Sequence, residues 1–141
     1  MSYLLDTCLL SELRKPKPNH GVTDWVLASD ENRLFISVLT LGEIQKGISK
    51  LVTGSRKNAF QHWLEKDLIQ RFADRIVNLD LDAALEWGIL GATGDLIGKP
   101  TPGVDSLLAV TAMTKNLVLV TRNEKDFTNL PVKILNPWIE E

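Results

Sequence analysis

Leu117-Val118-Leu119-Val120 is a continuous apolar run with no polar alternation. Such a run reads as a strand buried on both faces, the condition of a central strand in a parallel sheet. Shorter apolar runs repeat the signal at Tyr3-Leu4-Leu5, at Arg33 to Ser37, at Arg75 to Leu79 and at Val132 to Leu135. Stretches of helical period separate them. A short helix follows Asp6-Thr7 through Leu13, where Pro16 and Pro18 stop it, and Val22, Trp25 and Val26 mark a second helix to about Ser29. Two helices with a break near Thr53-Gly54-Ser55 lead to Phe72, an Asp80-capped helix runs to Gly98, and another spans about Val104 to Lys115. Strands alternating with helices imply an α/β fold with a largely parallel sheet. Within the Asp80 helix Gly88, Gly91 and Gly94 share one face, and their low helix propensity predicts close packing against a neighbour.

The chain has 141 residues, of which 44% are hydrophobic, enough for one domain over residues 1–141 with a proper core. No linker, repeat or low-complexity stretch divides it. Its net charge of −2 excludes holding nucleic acid by overall charge, so any such contact must come from local Lys and Arg patches. One cysteine, Cys8, excludes an internal disulfide, and with His20 and His62 it leaves too few ligands for a Cys/His zinc site. Asp6 interrupts the first apolar run, so no leader is expected. The stretch Ala83 to Gly98 carries Glu86 and Asp95 and is too short to cross a bilayer comfortably. The expected compartment is the cytoplasm.

In open parallel sheets, ligands bind beyond the carboxyl ends of the strands. Asp6 sits at that end of the first strand, Glu43 in the first turn after the second, and Asp105 at the start of the helix leading into the central one. Asn123 and Asp126 follow the central strand. Carboxylates gathered there would repel one another unless a cation lay between them. Mg²⁺ is a hard ion that takes such oxygens together with water and phosphate. Each acid also has a plainer reading. Asp6 can cap a helix, and Thr40 with Glu43 fits a capping box, with Thr40 as N-cap and Glu43 at the third helical position. Asp105 suits a helix N-terminus, and Asp126 suits a loop.

Leu4-Leu5-Asp6-Thr7, Ile36 to Ile44, Val104-Asp105-Ser106-Leu107-Leu108-Ala109, and Leu119-Val120-Thr121-Arg122-Asn123 with Asp126-Phe127 occur in that order. Together they resemble the PIN-domain family, and most closely its VapC/FitB-type toxins, down to the terminal Leu135-Asn136-Pro137-Trp138. The resemblance covers essentially the whole chain. It implies a three-layer α/β/α sandwich with a mainly parallel sheet of four to five strands and an acidic pocket for Mg²⁺ or Mn²⁺. It also implies an endoribonuclease of a type II toxin–antitoxin system, inhibited by a cognate antitoxin and usually homodimeric, cutting tRNA, rRNA or mRNA. Hydrolysis would use a metal-activated water and leave 5′-phosphate and 3′-hydroxyl ends. By motif, Asp6, Glu43 and Asp105 take the places of the core acids, with Asp6 and Asp105 as metal ligands. Asp126 or Asn123 fills the fourth corner, Asp126 being preferred. Thr7, Thr121 and Asn123 would orient these groups. Cys8 stands where relatives commonly have Asn, which puts a hydrogen bond from position 8 in question.

Arg14, Lys46 and Arg122 are candidates to guide an RNA backbone, together with Lys15, Lys17, Lys50, Arg56 and Lys57. Trp25, Trp63 and Trp87 fall on apolar faces and suit core or dimer contacts. Gly98-Lys99-Pro100-Thr101 brushes against a phosphate-loop ending, but Pro100 replaces the needed hydroxyl residue. Two other readings compete with the nuclease: a phospho-receiver-like module with Asp80 as acceptor, and a non-catalytic PIN-like scaffold.

Overall fold

The computed structural model describes residues 1–100 and 103–140. Its strands are β1 (Ser2–Leu5), β2 (Leu34–Ser37), β3 (Ile76–Val77), β4 (Leu117–Val120) and β5 (Ile134–Leu135). The helices are α1 (Thr7–Leu13), α2 (His20–Ala28), α3 (Val38–Ser49), α4 (Ser55–His62), α5 (Leu81–Leu96) and α6 (Gly103–Thr114). Thr101 and Pro102, which precede α6 in the sequence, lie outside the described residues.

All five strands are parallel, in the order β3-β2-β1-β4-β5. Tyr3 of β1 registers with Leu34 on one side and Val118 on the other. The chain builds outward from β1 through β2 to β3, then returns to lay β4 on the opposite flank. The β1/β4 boundary is therefore the topological switch point, where the connections on either side part and leave a crevice at the carboxyl ends.

Successive strand residues point to opposite faces, and that period of two divides the core. Leu5, Ile36 and Val120 pack on one face with Leu9, Val22, Ile44, Ile48, Leu64 and Phe72. Leu4 and Leu119 pack on the other with Leu108, Ala109, Ala112 and Phe127. Helices cover both faces, giving the α/β/α layering.

Two local expectations are corrected. Helix α3 begins earlier than the Thr40 reading places it, because Ser37 is the N-cap and its hydroxyl accepts the Leu39 N–H at 3.0 Å. Thr40 is fully buried inside the helix, its hydroxyl without a partner among the described residues, so no capping box forms. Glu43 is thereby released from any capping duty. The glycine stripe of α5 is also not what its spacing suggests. Among the described residues a Cβ at Gly88 or Gly91 would meet nothing within 4 Å, whereas one at Gly94 would stand 2.7 Å from the Lys99 carbonyl oxygen.

One feature has no signature in the sequence. Helix α4 continues as a π-helical stretch, Trp63–Ile69, which turns Leu64 and Leu68 into the core and leaves Trp63 half-buried beside α1. At the other end of the chain, residues 136–140 fold back onto the start of α2. The Asn19 side chain donates to the Ile139 carbonyl at 2.7 Å and accepts its N–H at 3.0 Å. Buried Glu12 ties the same region together, accepting from Lys15, from the Asn19 N–H and from the Trp138 indole.

Candidate active site

Asp6 follows β1 directly, and its backbone N–H continues the ladder to the Val120 carbonyl at 3.0 Å. Its side chain is buried and held from several directions. Oδ1 accepts the Thr7 N–H at 2.7 Å, so Asp6 does cap α1. Oδ2 is left over from the cap and accepts the Thr121 hydroxyl at 2.8 Å. The Cys8 thiol lies 3.8 Å from the same oxygen. Capping therefore accounts for only one of the two oxygens.

Thr121 begins the loop after β4, at the switch point. Its buried hydroxyl also accepts the Asn123 N–H at 3.0 Å, which orders the turn toward Asp126. Cys8 joins the two strand ends a second time, with Sγ 3.5 Å from the Thr121 hydroxyl and accepting the Arg122 N–H at 3.5 Å. Burial pushes the Cys8 thiol pKa up, with the Asp6 charge adding to the rise. A thiol that keeps its proton can donate toward Asp6, so position 8 contributes to the site despite lacking the usual Asn.

Glu43 projects from the second turn of α3, and its Oε1 accepts the Thr7 hydroxyl at 3.3 Å. Partial burial raises its pKa, and the charges of Asp6 and Asp105 raise it further, against relief from Thr7 and Lys46. Asp105 in the first turn of α6 is raised by burial, then by Asp126, then by Asp6. The four acids thus feel one another across the strand ends. Asp6, Thr7, Cys8, Glu43 and Thr121 meet in direct contact, while Asp105 and Asp126 join through their charges. Among the described residues no three His, Cys, Asp or Glu side chains are grouped tightly enough to chelate an ion outright. The donor chemistry nonetheless suits a hard cation, because the acids carry oxygen donors and two of them have raised pKa values.

A PIN domain model matches residues 3–133. The chain belongs to the PIN-domain family. It is 32% identical over 135 residues to the VapC ribonuclease Y4jK of Sinorhizobium fredii, a match covering 96% of each chain. It is 30% identical to the toxin FitB of Neisseria gonorrhoeae, over 96% of this chain and 97% of that one. The crystal structure of FitAcB from Neisseria gonorrhoeae superposes with a TM-score of 0.89 at 30% identity, covering 98% of this chain and 99% of the other. The expected fold, a PIN-like α/β/α sandwich with a parallel sheet, is the fold observed.

Other residues of this PIN domain take definite places. Asp80 caps α5 through the Ala83 N–H at 3.0 Å and pairs with Lys115, so its carboxylate is engaged away from the switch point. Lys46 is exposed beside Glu43. Arg122 lies over the Trp138 ring at 5.9 Å. Arg14 stacks 4.3 Å above Phe60 and 4.8 Å from Trp63, packing that sequence pattern did not disclose. Trp25 packs into the core against Tyr3, whereas Trp87 is 42% exposed and donates to the Ser106 hydroxyl.

Proposed function

We propose that this PIN-domain chain is a Mg²⁺-dependent endoribonuclease, the toxin of a VapBC-type module, with Mn²⁺ able to replace Mg²⁺. The observation that carries the reading is Asp6. It is a buried carboxylate locked at the switch point by Thr7 and Thr121, within the field of two further acids whose pKa values are raised. The names of the relatives, a ribonuclease and a toxin, support the same chemistry.

Asp6 and Asp105 would hold the ion, with Glu43 and Asp126 completing the acidic rim. When bound, a divalent ion lowers the pKa of water and neutralises charge on an attacked phosphodiester. The chain's own groups do the rest. Thr121 and the Thr7 N–H keep Asp6 in one rotamer, so no reorganisation is needed when substrate arrives. Thr7 orients Glu43, and the raised pKa of that carboxyl suits it to take a proton at Oε1 from an attacking water. Asn123 fixes the turn that carries Asp126. Lys46 and Arg122 would meet the RNA backbone on either side of the acids.

In this reading the partners are a cognate antitoxin and a second copy of the chain, and the compartment is the cytoplasm. Among the described residues no helix is long and apolar enough to cross a membrane. Helix α5 supports the homodimer, for Leu81, Leu85, Ile89 and Leu96 recur at helical spacing and are all exposed along one face beside Gly88. Such a face is costly to leave in water and closes readily against its own copy.

The deciding experiment uses Asp6→Asn and Asp105→Asn. Each should abolish Mg²⁺-dependent RNA cleavage and relieve growth arrest on expression while the fold is kept. Variants as active and toxic as the parent would sink the metal-site reading. A folded parent that cuts no RNA would favour the inert scaffold.

A further inference from the structure

Beside the acids, between α1, α3 and α4, lies a hollow of about 260 Å³. Buried Ile44 and Ile48 floor it, and Ser11, Arg56, Phe60 and Trp63 form its walls together with Thr7 and Glu43. We propose that this hollow is a base-binding subsite, taking one unstacked nucleobase of a single-stranded RNA next to the phosphate that is cut. The proposal rests on the nuclease reading for its substrate.

Size is the first argument. The volume is below the range typical of drug-sized ligands and is on the scale of one flat ring. Shape and chemistry agree. Phe60 and Trp63 meet edge to face, with centroids 6.4 Å apart and planes at 82°. The Arg56 guanidinium already lies 5.7 Å from the Phe60 centroid, and Arg14 packs on the same ring from a neighbouring cleft. Bases pulled out of a strand are recognised by such aromatic and guanidinium planes. Polar groups for the base edge are also at hand. Neither the Ser11 hydroxyl nor the Arg56 guanidinium hydrogen-bonds to another described residue. Glu43 belongs both to this wall and to the acid cluster, so a base held here is attached to a nucleotide adjoining the scissile phosphate.

The test compares binding of short single-stranded homopolymer RNAs with an all-abasic ribose-phosphate strand of equal length. It uses the full chain in EDTA and reads fluorescence anisotropy. At least one homopolymer should bind roughly 5- to 100-fold tighter than the abasic strand, the range expected for one stacked base. Phe60→Leu should shrink that difference to less than about two-fold without changing abasic binding, and Phe60→Tyr should preserve it. Arg56→Gln, at an exposed position, should narrow the difference even if Phe60→Leu folds poorly. The proposal is overturned if the difference is absent in the parent or survives both Phe60→Leu and Arg56→Gln. It is equally overturned if these changes impair only capture of the antitoxin. Base-dependent binding that persists without any Mg²⁺-dependent cleavage would count against the nuclease reading and leave the subsite standing.

Discussion

The Thr121 hydroxyl donates to Asp6 Oδ2 at 2.8 Å, joining the ends of β4 and β1 across 115 residues of sequence. Both groups are buried, so the bond carries charge in a region poorly served by water. Thr121→Val keeps the shape and deletes the donor. Stability in urea should fall by about 1–3 kcal/mol, the usual cost of stranding a buried charged acceptor. RNA cleavage should fall but not vanish, since Thr7 still holds the other oxygen.

Glu43 and Asp105 have carboxyl pKa values raised above the ordinary range, in each case first by burial. Asp6 is the next cause for Glu43, and Asp126 for Asp105. The folded protein then holds protons more tightly than the unfolded chain. Stability without divalent ions therefore falls as pH rises from the ordinary carboxylate pKa through the raised values, and it stays low at neutral pH. Glu43→Gln or Asp105→Asn should accordingly raise the urea midpoint at neutral pH in EDTA, and the gain should disappear in acid. An unchanged midpoint would mean the acids do not strain the fold.

Glu12 behaves in the opposite sense. Burial pushes its carboxyl up, but Lys15, the Asn19 N–H and the Trp138 indole together overcome that and hold it low. Its contribution is present above the ordinary carboxylate pKa and is lost as pH falls through the lowered value. Acidification should loosen the C-terminal tail, read by Trp138 fluorescence against a Trp138→Phe control. Glu12→Gln should cost about 1–3 kcal/mol at pH 7 and flatten that acid response.

The tail passes tightly over Gly21 of α2. A Cβ there would stand 2.2 Å from the Pro137 carbonyl oxygen and 2.6 Å from Ile139 Cγ1. Gly21→Ala should destabilise by about 1–3 kcal/mol, as overpacking does, and should expose residues 136–140 to proteolysis. Gly42→Ala meets nothing within 4 Å among the described residues and serves as the control that should fold normally.

Much of this was legible in the chain itself. Leu117 to Val120, Tyr3 to Leu5 and the helical periods between them set an α/β fold, because burying an apolar face is a demand each segment makes locally. Asp6 and Asp105 could be placed at helix starts for the same reason, and Asp80 as a cap is a contact spanning three residues. The ordered motifs carried the family. Thr40 was misread because Ser37 and Thr40 offer equivalent hydroxyls, and only the direction in which β2 delivers the chain selects the first. Gly88 and Gly91 were misread because spacing shows that a face is smooth and not what lies against it.

Tertiary structure alone decided how the acids are held. The Thr121–Asp6 bond, the Thr7–Glu43 contact and the bridging thiol of Cys8 depend on β1 and β4 lying side by side at the switch point. The hollow beside Phe60 depends on α1 packing beside α3 and α4, a juxtaposition that no local pattern announces. The apolar run of β4 thus determined that a parallel sheet would form. Where that run ends, and which buried carboxylate it meets there, was set by strand order, since contacts between distant segments are fixed by packing and not by neighbours in the chain.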